Sequence, residues 1–263
     1  MPIMSRIRKA AVAGSFYPRE EGELRSSVIE YTDRPFAATC PKAIIAPHAG
    51  YIYSGPVAGS VYASLQTARD RIHRVVLIGP AHRVPVRGIA ASSAAVFETP
   101  LGGVPIDDDA IAHLEEAELV QIQDAAHRDE HGLEVHLPFL QLALDSFHIV
   151  PLVVGLAAPE RVAKVLELLW GGDETIIVIS SDLSHFHSYD EAREIDRKTA
   201  DAIEALAPDA IQDDQACGRI PIQGLLMVAK RRGLQVHTID LRNSGDTAGP
   251  RNEVVGYGAF AFA

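Results

Sequence analysis

Only two cysteines, Cys40 and Cys217, occur among the 263 residues, far apart in the chain. That scarcity excludes a disulfide-stapled scaffold and any CxxC redox pair. A single bridge between the two is one reading; two reduced thiols in a cytosolic protein is the favoured one. Nor does any apolar run approach the roughly 20 residues needed to cross a bilayer. The opening stretch, MPIMSRIRKAAVAGSFYPRE, is basic and mildly apolar. Ala11-Val12-Ala13 faintly resembles a cleavage site, but no long apolar core precedes it, so a signal peptide is not expected and the cytoplasm is. Positive charge is in deficit as well: 24 Lys and Arg stand against 35 Asp and Glu, for a net charge of -11. This argues against a nucleic-acid or anionic-membrane footprint, which needs a basic surface. GxGxxG, P-loop, GxSxG and CxxC motifs are all missing, and so are repeats, low-complexity tracts and long Gly/Ser linkers.

What is present is an ordinary globular composition, 47% hydrophobic and 22% charged, with ample apolar material for a core. Short β-branched runs alternate with helical patterns. Lys42–Pro47, Arg74–Pro80, His148–Gly155, Thr175–Ser181 and Leu234–Leu241 read as strands buried on both faces. Arg87–Ala94 and Val254–Phe262 are further strands, the last alternating in the manner of an edge. Pro56–Arg69, Asp107–Glu118, Leu133–Ser146, Pro159–Leu169, Asp190–Leu206 and Pro221–Arg232 read as helices, and Pro18–Cys40 as a polar helix with a loop. The aspartates at 107–109 suit a helix start, and Asp213-Asp214 a cap or a solvated face. Strands alternating with helices predict an α/β fold: one domain spanning 1–263, with a mainly parallel central sheet covered by helices.

The histidines are placed unevenly. The first strand runs into His48-Ala49-Gly50-Tyr51, the second into Ala81-His82-Arg83, and the run TIIVISS into Asp182-Leu183-Ser184-His185-Phe186-His187. Parallel strands put their carboxyl ends on one sheet edge, where ligands bind in open α/β folds. His48, His82 and His185 are therefore expected to converge on one polar, metal-binding site. A lone loop histidine means little; three at equivalent positions mean more.

Cys217 precedes a predicted helix, whose N-terminus favours a thiolate, so it reads as a soft metal ligand or a nucleophile. Cys40, at a strand start and hence the opposite sheet edge, reads as structural. In Glu130-His131-Gly132-Leu133-Glu134-Val135-His136 the histidines are five apart rather than the four of HExxH, so one helix cannot clamp a metal with both. Glu130 and His131 are expected to face the site as acid/base or supporting groups, and Glu134 and His136 to serve structure or the surface. His73, His113, His127, His148 and His237 share no placement.

The ordered motifs AGSFYP (13–18), APHAGYIYSGPVAG (46–59), IGPAHR (78–83), EHGLEVHLPFLQ (130–141), SSDLSHFH (180–187) and ACGRIPI (216–222) resemble the Memo family through essentially the whole chain. Such proteins include the AmmeMemoRadiSam system protein B of bacterial and archaeal gene sets. The resemblance implies a fold similar to class III extradiol dioxygenases, which use non-haem Fe(II). It also implies His48, His82 and Cys217 as metal ligands, Asp182 and His185 as catalytic pocket residues, and Phe16 as a pocket aromatic. His185 is the implied acid/base, and Cys217 is carried as catalytic too. Some relatives place Trp at the position of Phe16 and His at that of Ile220.

A thiolate in place of the usual carboxylate softens the site, so Fe(II) is expected first, with Cu or Zn as alternatives. Three functions follow from the resemblance and the residues together. The first is a metal-dependent oxidoreductase acting on an unknown small molecule or peptide, with radical-SAM proteins of the gene set as partners. The second is a hydrolase using Cys217 or zinc. The third is a partner-binding protein that retains the enzyme pocket, as a eukaryotic relative linked to receptor signalling and phosphopeptide binding suggests.

Overall fold

The structure is a computed structural model that describes residues 6–34 and 40–263; the loop expected just before Cys40 falls on 35–39, outside the described residues. Along the chain come β1 (Ile7–Arg8), α1 (Glu21–Thr32), β2 (Ala43–Ala46), α2 (Tyr51–Tyr62), β3 (Arg74–Pro80), β4 (Ile89–Ala91), β5 (Val96–Thr99), β6 (Gly102–Pro105) and α3 (Asp108–Glu116). Next are β7 (Gln121–Ile122), α4 (Asp124–Arg128), α5 (His131–Glu134), α6 (Leu137–Ala143), β8 (His148–Val154) and α7 (Pro159–Leu169). The chain closes with β9 (Thr175–Ser180), β10 (His185–His187), α8 (Tyr189–Glu204), α9 (Arg219–Arg232), β11 (Val236–Asn243) and β12 (Val254–Phe262).

The α/β expectation holds. β2, β9, β3 and β8 lie side by side and parallel. Their Ile- and Val-rich runs are buried on both faces, β2 and β9 at every residue, each large side chain contributing about 1.5–3 kcal/mol. Helices flank this core: α9 lies on β3 and β9 and packs against α7, while α2 lies against β2, β11 and β12.

Outside the parallel centre the pattern differs from the sequence reading. β12 is not an edge strand, because β2 and β11 both pair with it, antiparallel, and β10 pairs near its start. The alternation in Val254–Phe262 is one of small and large residues: Gly256, Gly258, Ala259 and Ala261 against Tyr257, Phe260 and Phe262, all buried. Size alternates there, not polarity. β11 is antiparallel to β12 and mostly half-exposed rather than buried on both faces.

Two helices also differ. The one expected from Pro56 starts at Tyr51, directly after the His48 turn, and carries Pro56 inside it. The stretch 133–146 divides into α5 and α6, with Pro138 in the first turn of α6, where a missing N–H costs nothing. A second small sheet, β1-β5-β6, and the short β10 had no signal strong enough to read.

Candidate metal centre

The strand order decides which loops meet. β9 lies between β2 and β3, with Ala46 level with Ser180 and Ile78 level with Ile179. Strands about 4.8 Å apart put the segments after β2 and β3 about 10 Å apart across β9, within reach of two inward-leaning imidazoles. His48 and His82 follow those two strands, and their rings come to 4.9 Å, edge to face. His131 enters from the first residue of α5, its ring 4.5 Å from that of His82 and 5.5 Å from that of His48. One ring nitrogen from each of the three lies within 4.8 Å of the others.

The hydrogen bonds set the tautomers. Ser180 donates its hydroxyl proton to the Gly132 carbonyl, so its Oγ accepts from Nδ1 of His48 at 2.6 Å. That leaves Nε2 of His48 as a bare lone pair. Glu130 does the same for His82: Oε1 accepts from Nδ1–H at 2.7 Å, and the carboxylate also accepts from the backbone N–H groups of His82 at 2.7 Å and Gly132 at 2.9 Å. Burial by itself raises the Glu130 pKa, but the His82 contact and these N–H donors outweigh it and hold the group at about 2. Glu130 is thus a fixed anion and an acceptor only.

Burial, and then the field of His82, holds His48 well below the usual histidine range and His131 at about 4. Both are neutral at pH 7, the state a metal ligand requires. Nδ1 of His131 is buried without a hydrogen-bond partner.

Cys217 and Asp182 complete the floor. Gly218 lets the turn before α9 press onto β9, since a Cβ there would come within 2.7 Å of the Ser180 carbonyl oxygen. The Cys217 Sγ is thereby placed 3.3 Å from Nε2 of His48. Burial, then Asp182, pushes the thiol up to about 12. The helix start after Cys217 therefore does not make it a resting thiolate, contrary to the sequence expectation. Asp182 is buried, accepts from the His48 backbone N–H at 2.7 Å, and is raised by that burial despite the bond.

Of the remaining expected residues, Phe16 packs its ring 4.6 Å from that of His131. His185 lies half-buried on β10, its ring 5.7 Å from that of Phe186 and outside the three-histidine group. Ile220 lines a cleft of about 270 Å³ that also touches Cys217. His136 points away, its Nδ1 2.9 Å from the Tyr62 hydroxyl. Cys40 is half-buried before β2, a free thiol like Cys217.

Ser180, Arg8 and Tyr17 went unread in the sequence. Arg8 pairs with the fully buried Glu134 and donates to the carbonyls of His127 (3.0 Å) and Glu130 (2.6 Å). Glu134 also accepts from the N–H groups of Ala11 and Val12 and from the Tyr17 hydroxyl. This buried ion pair locks the segment carrying Phe16 to the one carrying Glu130 and His131. The one available signal for Ser180 was its place beside Asp182 at a strand's carboxyl end.

These features define an α/β protein with a three-histidine centre at the carboxyl ends of parallel strands. The chain belongs to the Memo family: the family model described as Memo-like protein matches residues 8–261. A MEMO1 family protein of Aquifex aeolicus is 37% identical, covering 96% of this chain and 97% of its own length. One of Ignicoccus hospitalis is 35% identical, covering 97% and 98%. Among solved structures, an uncharacterized protein of Escherichia coli K12 has the same fold with a TM-score of 0.52, at 12% identity, over 83% of this chain and 98% of that one.

Proposed function

We propose that His48, His82 and His131 hold a metal ion and that the chain is a metal-dependent oxidoreductase, with Fe(II) the first expectation and Cu or Zn the alternatives. The observation that carries this is the set of three ring nitrogens within 4.8 Å, two of them with tautomers fixed by Ser180 and Glu130. A histidine ligand is characteristically held in this way, one ring nitrogen hydrogen-bonded so that the other is free for the metal.

Cys217 joins the set as a fourth donor. Its Sγ lies 3.3 Å from Nε2 of His48, and it would have to give up its thiol proton to bind. When bound, the ion supplies Lewis-acid chemistry and, for iron or copper, electron transfer. The protein's own groups bind and orient: Asp182 fixes the His48 backbone, Phe16 covers His131 against water, and His185 carries protons at the rim. The ligand in this reading is a small molecule or peptide, and radical-SAM proteins of the gene set are its partners.

A cysteine nucleophile is the weaker reading, because the thiol of Cys217 is held protonated. Zinc hydrolysis uses the same ligands and is separated from redox chemistry by metal identity. Metal content with X-ray absorption on anaerobically prepared protein, beside Cys217→Ser and His48→Ala, tests the proposal. The expected result is near-stoichiometric iron or copper with nitrogen ligands and one sulfur, the sulfur lost in Cys217→Ser and the metal in His48→Ala. Failure to take up any metal after anaerobic reconstitution overturns it and leaves partner binding as the function.

A further inference from the structure

The segment after β3 forms one wall of a cleft of about 470 Å³ that begins at His82 and continues past Arg83, Val84 and Pro85 to Arg87 and Leu156. It adjoins the smaller cleft at Cys217, with Ala81 and Gly155 lining both. Three features of this wall need a reason.

The first is its charge. In a chain of net charge -11, no acidic residue lines this cleft. Arg219 in the adjoining cleft is engaged by Asp213, but Arg83 and Arg87 have no such partner among the described residues.

The second is Leu156, 83% exposed and the most exposed large hydrophobic residue described. With Val84 and Pro85 it gives the cleft an apolar strip beside the two guanidinium groups.

The third is rigidity. The Ala81–Gly88 segment is fastened to the end of β8 by backbone hydrogen bonds from Ala81 to Val154, Leu156 to Val86, Gly88 to Leu156 and Gly155 to Gly88, all 2.8–3.0 Å. Gly155 is required for this, because a Cβ there would stand 2.1 Å from the Val86 carbonyl oxygen. Leu156 is therefore held out in water by a fixed backbone, at a hydrophobic cost with no return inside the free chain. A preformed cleft that pairs an apolar strip with unpaired guanidinium groups matches a ligand with the complementary two ends.

We infer that the ligand of the histidine centre is an amphiphilic organic anion, its oxyanion group held by Arg83 and Arg87 and its apolar body lying on Val84, Pro85 and Leu156. This rests on the function proposed above and names the substrate class of the same site. A carboxylate, sulfonate or phosphate satisfies the two arginines; a neutral or cationic molecule of the same shape does not.

A matched pair of probes tests the assignment. 4-Phenylbutyrate and 4-phenyl-1-butanol share a body and differ in charge, and each is titrated by displacement of 8-anilinonaphthalene-1-sulfonate from metal-reconstituted and metal-free protein. The expected result is at least about tenfold tighter binding of the acid in both forms at low ionic strength. Arg83→Glu with Arg87→Glu erases that preference while metal content stays unchanged, and Leu156→Ser weakens acid and alcohol together. Equal affinities for the pair, or a preference that survives the double arginine variant, overturn the inference. Loss of metal uptake with the acid preference intact removes the metal reading alone, and intact metal uptake with no acid preference removes this inference alone.

Discussion

Nδ1 of His82 lies 2.7 Å from Oε1 of Glu130, and this bond decides which nitrogen of the imidazole is free. Glu130 is itself held as an anion by two backbone N–H groups. The carboxylate therefore orients the His82 ring rather than moving a proton.

Glu130→Gln keeps the shape but removes the charge and one acceptor oxygen. Metal affinity is expected to fall about 10–100-fold, the usual loss when a group behind a ligating histidine is removed. Competition with a chelator of known affinity measures it, and wild-type affinity in the variant would reject the orienting role.

The Arg8–Glu134 pair is buried at both ends. Removing one partner, as in Arg8→Met, leaves Glu134 charged and uncompensated, at an expected cost of about 3–5 kcal/mol in urea unfolding. Replacing both, as in Arg8→Met with Glu134→Leu, is expected to recover part of that. A single variant within 1 kcal/mol (roughly the cost of a surface pair) would show that the network does not hold the Phe16 and His131 segments together.

His127 supplies a pH dependence. Burial, with Arg8 adding to it, lowers its pKa to about 4, against about 6.5 in the unfolded chain. The unfolded state therefore binds the proton first, so this stability is full above pH 6.5 and is lost as pH falls toward 4. The whole effect is about 3 kcal/mol. Since other buried histidines titrate the same way, the test is the difference between wild type and His127→Gln: the variant is expected to lose less stability across that window. Parallel pH profiles would contradict it.

Cys217 should react slowly with iodoacetamide in metal-free protein. With its thiol pushed up to about 12, its thiolate fraction at pH 8 is on the order of a thousandfold below that of an ordinary cysteine. Mass spectrometry of the alkylated peptide measures the rate. Labelling as fast as glutathione would revive the nucleophile reading.

Much of this was legible from the chain by itself. The β-branched runs at 43–46, 74–80, 148–154 and 175–180 leave no polar face, so they fit only a doubly covered parallel sheet, and the position of His48 and His82 just past two of them put both on one edge. The five-residue spacing of His131 and His136 likewise settled that they point apart.

What the linear pattern could not hold was strand order. Only the placement of β9 between β2 and β3 brings His48 and His82 across Ser180, and only the fold back of α5 delivers His131 as the third imidazole while His185 stays at the rim. The ionisation of Cys217 was equally out of reach. A helix start argues for a thiolate, but burial beside Asp182 argues more strongly against one, and burial is a property of the packed molecule, not of neighbours in sequence. Local periodicity fixes elements; the order in which they lie side by side, and the solvent they exclude, fixes the chemistry.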